Sequence, residues 1–357
     1  MDPTYLDYAA TAPTDPAAID AMTAAAAAWA NPSSVHRAGR RAHAALEEAR
    51  DSAAAGLGCL AASVVFTGGG TEALGLGLAQ SGTRLVSAIE HDAVRAQASG
   101  AGIIPVDRDG VIDLDALDAL LAASPEPPLV AVMHVNNETG VVQPVAEVAA
   151  RVRSAGGRLL VDAVQSAGKL ALPAADYVAV SAHKLGGPPG VGALIVRGEL
   201  AAVVRGGGQE RGLRAGTENL PGIAGFAAAL AARAADTGWL ERCEALRDRL
   251  EEQLPGAMIY GSGAVRIGTI SCIRLPGVAA TTQLMTLDLA GFAVSAGAAC
   301  SSGKVRTSHV LGAMGVGAVA AGEAIRVSLG WRTTAAEIDA FAAAWRAMAS
   351  RLGRVAA

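Results

Sequence analysis

A chain of 357 residues that is 52% hydrophobic and 17% charged has material for a sizeable core and no compositional sign of disorder. Its formal net charge of −4 gives no electrostatic case for nucleic acid or an anionic membrane, and no uninterrupted apolar run reaches the ~18 residues of a membrane span. Aromatic residues are only 3%, so the core must be built from Ala, Val, Leu and Gly, which favours helices packed closely on a sheet.

The start, Met1-Asp2-Pro3-Thr4-Tyr5, has neither the basic nor the apolar region of a signal peptide, and a cytoplasmic location is expected. The Ala-rich tract 24–28 reads as helix. Between residues 60 and 200, short apolar runs at 64–66, 85–86, 129–135, 159–161, 177–180 and 193–196 read as strands. Helical stretches such as 71–80, 114–122 and 145–154 separate them. Continuously apolar strands alternating with helices predict a doubly wound, mainly parallel α/β sheet covered on both faces. A long helix is expected over 222–254, ending at Pro255-Gly256 and bridging to a second, smaller α/β unit. There, 267–275 reads as a strand, 281–290 as a helix, and a closing helix starts at Thr334.

In open α/β sheets, ligands bind at the carboxyl ends of the strands. Those ends carry Thr67-Gly68-Gly69-Gly70-Thr71-Glu72, Glu90-His91-Asp92, Asn136-Asn137-Glu138-Thr139-Gly140, Asp162-Ala163-Val164-Gln165 and Ser181-Ala182-His183-Lys184. Glycines opening a helix suit a phosphate. Lys184 is one of only three lysines, with Lys169 and Lys304, among 29 basic residues. Where almost every positive charge is Arg, a strand-end lysine points to the one reaction a guanidinium cannot perform, condensation with a carbonyl. Together with a strand-end Asp and a phosphate cradle, this set suits pyridoxal phosphate: amine as covalent anchor, carboxylate for the pyridine nitrogen, glycines for the phosphate. Taken singly, an Asp at a strand end is also a common helix cap, and a Gly-Gly-Gly turn a common connector.

The four cysteines, Cys59, Cys243, Cys272 and Cys300, form no Cys-x-x-Cys pair, and the six histidines show no ligand spacing. No metal site and no structural disulfide is expected. Cys59, Cys243 and Cys272 read as small hydrophobes, and His134 as a core histidine. Cys300 stands apart in Ser295-Ala296-Gly297-Ala298-Ala299-Cys300-Ser301-Ser302-Gly303, a segment of small residues suited to a loop.

These motifs, with Tyr5-Leu6-Asp7-Tyr8-Ala9-Ala10-Thr11, Asn31-Pro32-Ser33-Ser34-Val35-His36, Gly206-Gly207-Gly208-Gln209-Glu210-Arg211-Gly212, Arg214-Ala215-Gly216-Thr217-Glu218-Asn219 and Ile325-Arg326-Val327-Ser328, resemble the cysteine desulfurases of the NifS/IscS-like type. Those belong to the class V aminotransferases, fold type I pyridoxal-phosphate enzymes. The resemblance spans nearly the whole chain. It implies a large domain over 14–240 and a small one formed by 1–13 with 241–357, the latter carrying the cysteine loop.

By the resemblance, Lys184 is the Schiff-base lysine, Asp162 the partner of the pyridine nitrogen, Gln165 that of the ring oxygen, and His91 the imidazole stacked on the ring. Gly70, Thr71, Ser181 and His183 form the phosphate cup. Thr217 reaches the phosphate of a second subunit, which implies a homodimer. Asn137 and Arg326 bind the substrate carboxylate, and Cys300 takes the sulfur. The implied reaction converts L-cysteine to L-alanine and passes sulfur from a persulfide to an acceptor protein, in iron–sulfur cluster assembly or related traffic. Selenocysteine lyase or another class V activity is the alternative; a loop cysteine is superfluous for transamination. A partner subunit without turnover is a third, opposed by the intact set Lys184, Asp162, Cys300 and Arg326. Gly68 and Leu74-Gly75 depart from the Ser and the Asp/Asn-Asn pair of many relatives.

Overall fold

The computed structural model describes residues 3–297 and 307–353. Its strands are, in chain order, β1 (Thr4–Tyr5), β2 (Val64–Thr67), β3 (Arg84–Ser87), β4 (Gly102–Ile104), β5 (Leu129–Met133), β6 (Arg158–Asp162), β7 (Tyr177–Ser181), β8 (Gly192–Val196), β9 (Met258–Ile259), β10 (Ile270–Arg274), β11 (Phe292–Ala293) and β12 (Ala324–Ser328). Seven of them form the central sheet in the order β2-β8-β7-β6-β5-β3-β4. Only β8 runs against its neighbours, so the sheet is mainly parallel.

The strands are apolar throughout because both faces are covered. In β7, Val178 and Val180 join a core beneath helices Arg37–Leu57, Val145–Ser154 and Leu220–Ala235, while Tyr177 and Ala179 face helix Gly70–Leu78. That is the two-residue period of a strand written into two cores. A further core, around Trp239, Ile325, Phe341 and Trp345, belongs to the antiparallel sheet β12-β10-β9 and closing helix Ala335–Arg351. Leu6 is buried in that core, and β1 pairs with β11, so the N-terminal segment packs with the C-terminal part of the chain. The closing helix starts on a capping box between Thr334 and Glu337.

One expectation is corrected. The stretch 222–254 is not one helix but two, Leu220–Ala235 and Trp239–Glu252. Asp236 leaves helical geometry (φ −96°, ψ 84°), and Gly238 opens the second helix. The break has a packing cause: Phe226 and Leu230 serve the large sheet's core, whereas Trp239, Cys243 and Leu250 serve the smaller one. A straight helix could not face both. The sequence reading also passed over edge strand β4, whose three residues give too short a run to register.

A buried ion pair fixes the turn before helix Leu220–Ala235. Arg50 meets both carboxylate oxygens of Glu210, at 2.8 and 2.9 Å, and Glu210 also accepts the Phe66 N–H at 2.9 Å. Both side chains are almost fully enclosed, and Glu210 and Arg211 adopt left-handed backbone (φ 45° and 58°). Such geometry persists only where surrounding contacts enforce it. Glu210→Ala leaves the buried Arg50 with only the half-exposed Glu47, at 3.2 Å, as counter-charge and should cost roughly 3–5 kcal/mol in urea unfolding. A loss below about 1 kcal/mol would place the pair among weak surface bridges.

Candidate active site

The carboxyl ends of β2, β5, β6 and β7 open into a cleft of about 520 Å³. Gly70, Thr71, His91, Asn137, Asp162, Gln165, Ser181, His183, Lys184 and Arg326 all line it, so the cleft gathers most of the residues singled out in the sequence. Thr217 does not line it. That side chain is exposed beside a separate small cavity with Phe66, Arg214 and Asn219. Cys300 lies outside the described residues; Gly297, three positions earlier, lines the cleft.

Lys184 ends a single 3₁₀ turn that follows β7. Its Nζ donates to the carbonyls of Ala9 (2.8 Å) and Ala10 (2.7 Å), the small-residue turn after Asp7. Burial, with the positive charge of Arg326, draws its pKa down to about 8. His183 is drawn down to about 4 by burial and by Lys184, so its ring is neutral; Nδ1 lies 3.1 Å from the Thr11 hydroxyl.

Asp162 ends β6, with one carboxylate oxygen accepting the Val164 N–H at 2.9 Å and the other without a protein partner among the described residues. Burial pushes its carboxyl up, opposed by that N–H and by His91 and Lys184. Beside it Glu90, fully buried, accepts the Met133 N–H at 2.7 Å. Burial, and after it the charge of Asp162, push the Glu90 carboxyl well above its ordinary value.

The residues present fit pyridoxal phosphate. Helix Gly70–Leu78 begins at Gly69 with no side-chain cap, which leaves first-turn N–H groups for an anion. Gly70 must be glycine: a Cβ there would meet Val164 Cγ2 at 2.8 Å and Ser181 Cβ at 3.3 Å. The close approach brings the helix end against β7, next to the Ser181 hydroxyl. Glu72 in the first turn is paired by Arg214 at 2.7 Å and accepts the Gly68 N–H at 2.5 Å, so it adds no bare negative charge to the cradle. At Gly68 a side chain would crowd that carboxylate, at 2.9 Å. Leu74 is buried in the core behind the cleft, and a Cβ on Gly75 would meet Gln97 Oε1 at 2.5 Å, so this helix packs through apolar and small residues here.

Some contributors went unassigned in the sequence. The carbonyls of Ala9 and Ala10 were legible only as part of a motif. Lys169 donates to Gln165 Oε1 at 3.4 Å, and Gln165 Nε2 donates to Ala9 O at 2.8 Å, which fixes the amide's orientation. Burial and Lys184 draw Lys169 down to about 8. His91 Nδ1 accepts the Ala93 N–H at 3.0 Å, which places the ring's N–H at Nε2. His134 is buried, its pKa lowered by burial alone and its Nδ1 without a partner among the described residues, consistent with its reading as a core residue.

A mainly parallel seven-stranded sheet whose carboxyl ends join a lysine, a carboxylate and a glycine-opened helix defines a fold type I enzyme. The class-V aminotransferase family model matches residues 4–341, and the chain belongs to that family. It is 41% identical to a cysteine desulfurase of Cereibacter sphaeroides, over 95% of this chain and 94% of that protein. An IscS-like cysteine desulfurase of Mycobacterium tuberculosis is 37% identical over 94% of this chain and 93% of its own length. Among solved structures, a NifS-like protein from Rickettsia africae superposes with TM-score 0.91 at 32% identity, covering 98% of this chain and 99% of that one.

The lowered pKa of Lys184 is directly testable. At pH 8 about half of it is free amine, whereas an ordinary lysine, with pKa about 10.4, is almost wholly protonated. Borohydride trapping of pyridoxal phosphate, followed by peptide mapping, should label Lys184, with the initial rate rising through pH 8. A label on Lys169 or Lys304 would overturn the assignment.

Proposed function

We propose that this chain is a homodimeric, pyridoxal-phosphate-dependent cysteine desulfurase that converts L-cysteine to L-alanine and receives the sulfur on Cys300. The observation that carries the reading is the convergence of Lys184, Asp162, Asn137 and Arg326 on one cleft in a chain whose relatives are named for this activity. The N-terminal segment's packing supports the division into a large domain, 14–240, and a small one, 1–13 with 241–357.

When bound, pyridoxal phosphate supplies an electron sink for the amino acid's Cα and Cβ bonds. Lys184 anchors the cofactor through its amine, which is free at a lower pH than usual. Asp162 keeps a proton on the ring nitrogen: a cationic partner offsets the burial that otherwise raises its own pKa. Gln165 offers its remaining N–H to the ring oxygen, and His91 stacks on the ring. Gly70, Thr71, Ser181 and His183 hold the phosphate. Thr217, exposed and outside its own chain's cleft, reaches the phosphate of the other subunit. Asn137 and Arg326 grip the substrate carboxylate, which orients the amino acid so that its sulfur meets the Cys300 thiolate. In the net step the substrate's C–S bond breaks and an S–S bond forms on Cys300, giving alanine and an enzyme persulfide for an acceptor protein.

The other thiols support this choice. Burial pushes Cys243 up to about 11 and Cys272 further still, and raises Cys59 as well, so all three are poor nucleophiles. Among the described residues no helix is long and apolar enough to cross a membrane, and no group of His, Cys, Asp and Glu could hold a metal ion.

Cys300→Ser should still bind cofactor and still show a spectral change with L-cysteine, yet neither gain sulfur nor release alanine at a useful rate. Mass spectrometry of the wild type after L-cysteine should find one added sulfur on the peptide with Cys300; sulfur on Cys59, Cys243 or Cys272, or normal alanine release by the variant, sinks the mechanism. Asp162→Asn should retain cofactor and lose several powers of ten in turnover, at about 1.4 kcal/mol per tenfold. Near-normal turnover would reduce Asp162 to a turn residue.

A further inference from the structure

Arg326 is 4% exposed, and the partners of its guanidinium in the fold are specific. Nη1 donates to the carbonyl of Asn137 at 2.9 Å, and Nη2 to Oδ1 of Asp7 at 2.8 Å. Nε is buried and has no partner among the described residues. Asp7 reaches this point from the N-terminal segment, 319 positions away in sequence. Its own backbone is held there: it bridges to Ser328 at the end of β12, and its carbonyl accepts from the Tyr5 hydroxyl (3.1 Å) and the Ala10 N–H (3.0 Å). The carboxylate is thus presented to Arg326 from a fixed frame.

We propose that Asp7 is a positioning residue for substrate binding: it sets the plane and orientation in which Arg326 receives the amino acid's carboxylate. The proposal rests on the reading of Arg326 as the carboxylate anchor. A guanidinium has five N–H donors, of which the two contacts use two. Three remain, enough for a bidentate grip without displacing Asp7. Contacts on two different terminal nitrogens stop rotation about the guanidinium axis, which a single ion pair would not. The other charged groups near Arg326 do not replace Asp7. Lys184 has the same sign, and Glu138 is a buried carboxyl that accepts no hydrogen bond from the guanidinium and accepts instead from the Ser308 hydroxyl. Asp7 is the one ion-pair partner of Arg326 among the described residues. A buried cation deprived of its counter-charge relaxes toward any other acceptor in reach, and the geometry of the anchor goes with it.

A different role for the same contact makes the opposite prediction. If Asp7 merely occupied Arg326 until substrate displaced it, removing the charge would tighten binding. The test uses cofactor-loaded wild type, Asp7→Asn, Asp7→Glu and Arg326→Lys. Four quantities are measured: KM and kcat for L-cysteine, affinity for L-alanine from the perturbed cofactor absorbance, affinity for pyridoxal phosphate, and Tm. Asp7→Asn should weaken L-alanine binding and raise the KM by about tenfold, the scale of a lost charge-assisted hydrogen bond, with kcat changed less than KM. Pyridoxal phosphate affinity should hold, and Asp7→Glu should recover part of the loss. Unchanged or tighter amino-acid binding in Asp7→Asn overturns the proposal. So does a parallel fall in L-alanine affinity, pyridoxal phosphate affinity and Tm that Glu fails to rescue, which would mark Asp7 as a fold residue only. If Arg326→Lys leaves L-alanine affinity and KM unchanged, the anchor reading fails and Asp7's role with it; a sensitive Arg326→Lys beside a silent Asp7→Asn fails Asp7 alone.

Discussion

The pair of hydrogen bonds from Lys184 to the carbonyls of Ala9 and Ala10 is the constraint on which the site depends. A buried ammonium must be satisfied. Here the acceptors are not side chains of the sheet but backbone carbonyls of the N-terminal segment. That segment belongs by packing to the other end of the chain, through β1 and β11 and through Leu6. The lysine therefore marks where two cores meet. Ala9 O is shared with Gln165, and Gln165 is in turn held by Lys169, so amide orientation, lysine and N-terminal turn are fixed together.

Electrostatics in the cleft follows from this crowding. Burial lowers both lysines, and the charge of Arg326 adds to it at Lys184, as those of Lys184 and Arg326 do at Lys169. On the acidic side Glu90 and Asp162 are buried together, and burial raises both carboxyls, with Asp162 adding to the rise at Glu90. At Asp162, where the pyridine nitrogen is proposed to sit, the Val164 N–H, His91 and Lys184 oppose that rise. Neutral His183 adds no further positive charge.

The sheet was legible because its signal is local: β5, β6, β7 and β8 are short apolar runs that need no knowledge of the rest of the chain. Strand-end chemistry was legible for the same reason, since ligands gather at carboxyl ends. What escaped were relations across distance. Asp7 stood within a quoted motif but had no role, because its partner Arg326 is 319 positions away. The helix break at Asp236 was hidden because both halves have helical composition, and only the existence of two cores to serve divides them. Lys169 was noted for its rarity, while its bond to Gln165 depends on one helical turn after β6. Thr217 could be assigned only through resemblance: it lines a cavity that shares Gly68 and Gly190 with the cleft but does not itself line the cleft.

The three described thiols carry a consequence for traffic. An enzyme that carries sulfane sulfur on a thiol risks losing it to its own cysteines, because exchange proceeds through whichever thiolate is available. Cys243 and Cys272 are buried, each with its thiol pushed upward by that burial, and Cys59 is raised in the same sense. Desolvation thereby disfavours internal transfer, most strongly at the buried Cys243 and Cys272. The sulfur's cheapest exit is outward, to whatever thiolate arrives from solution.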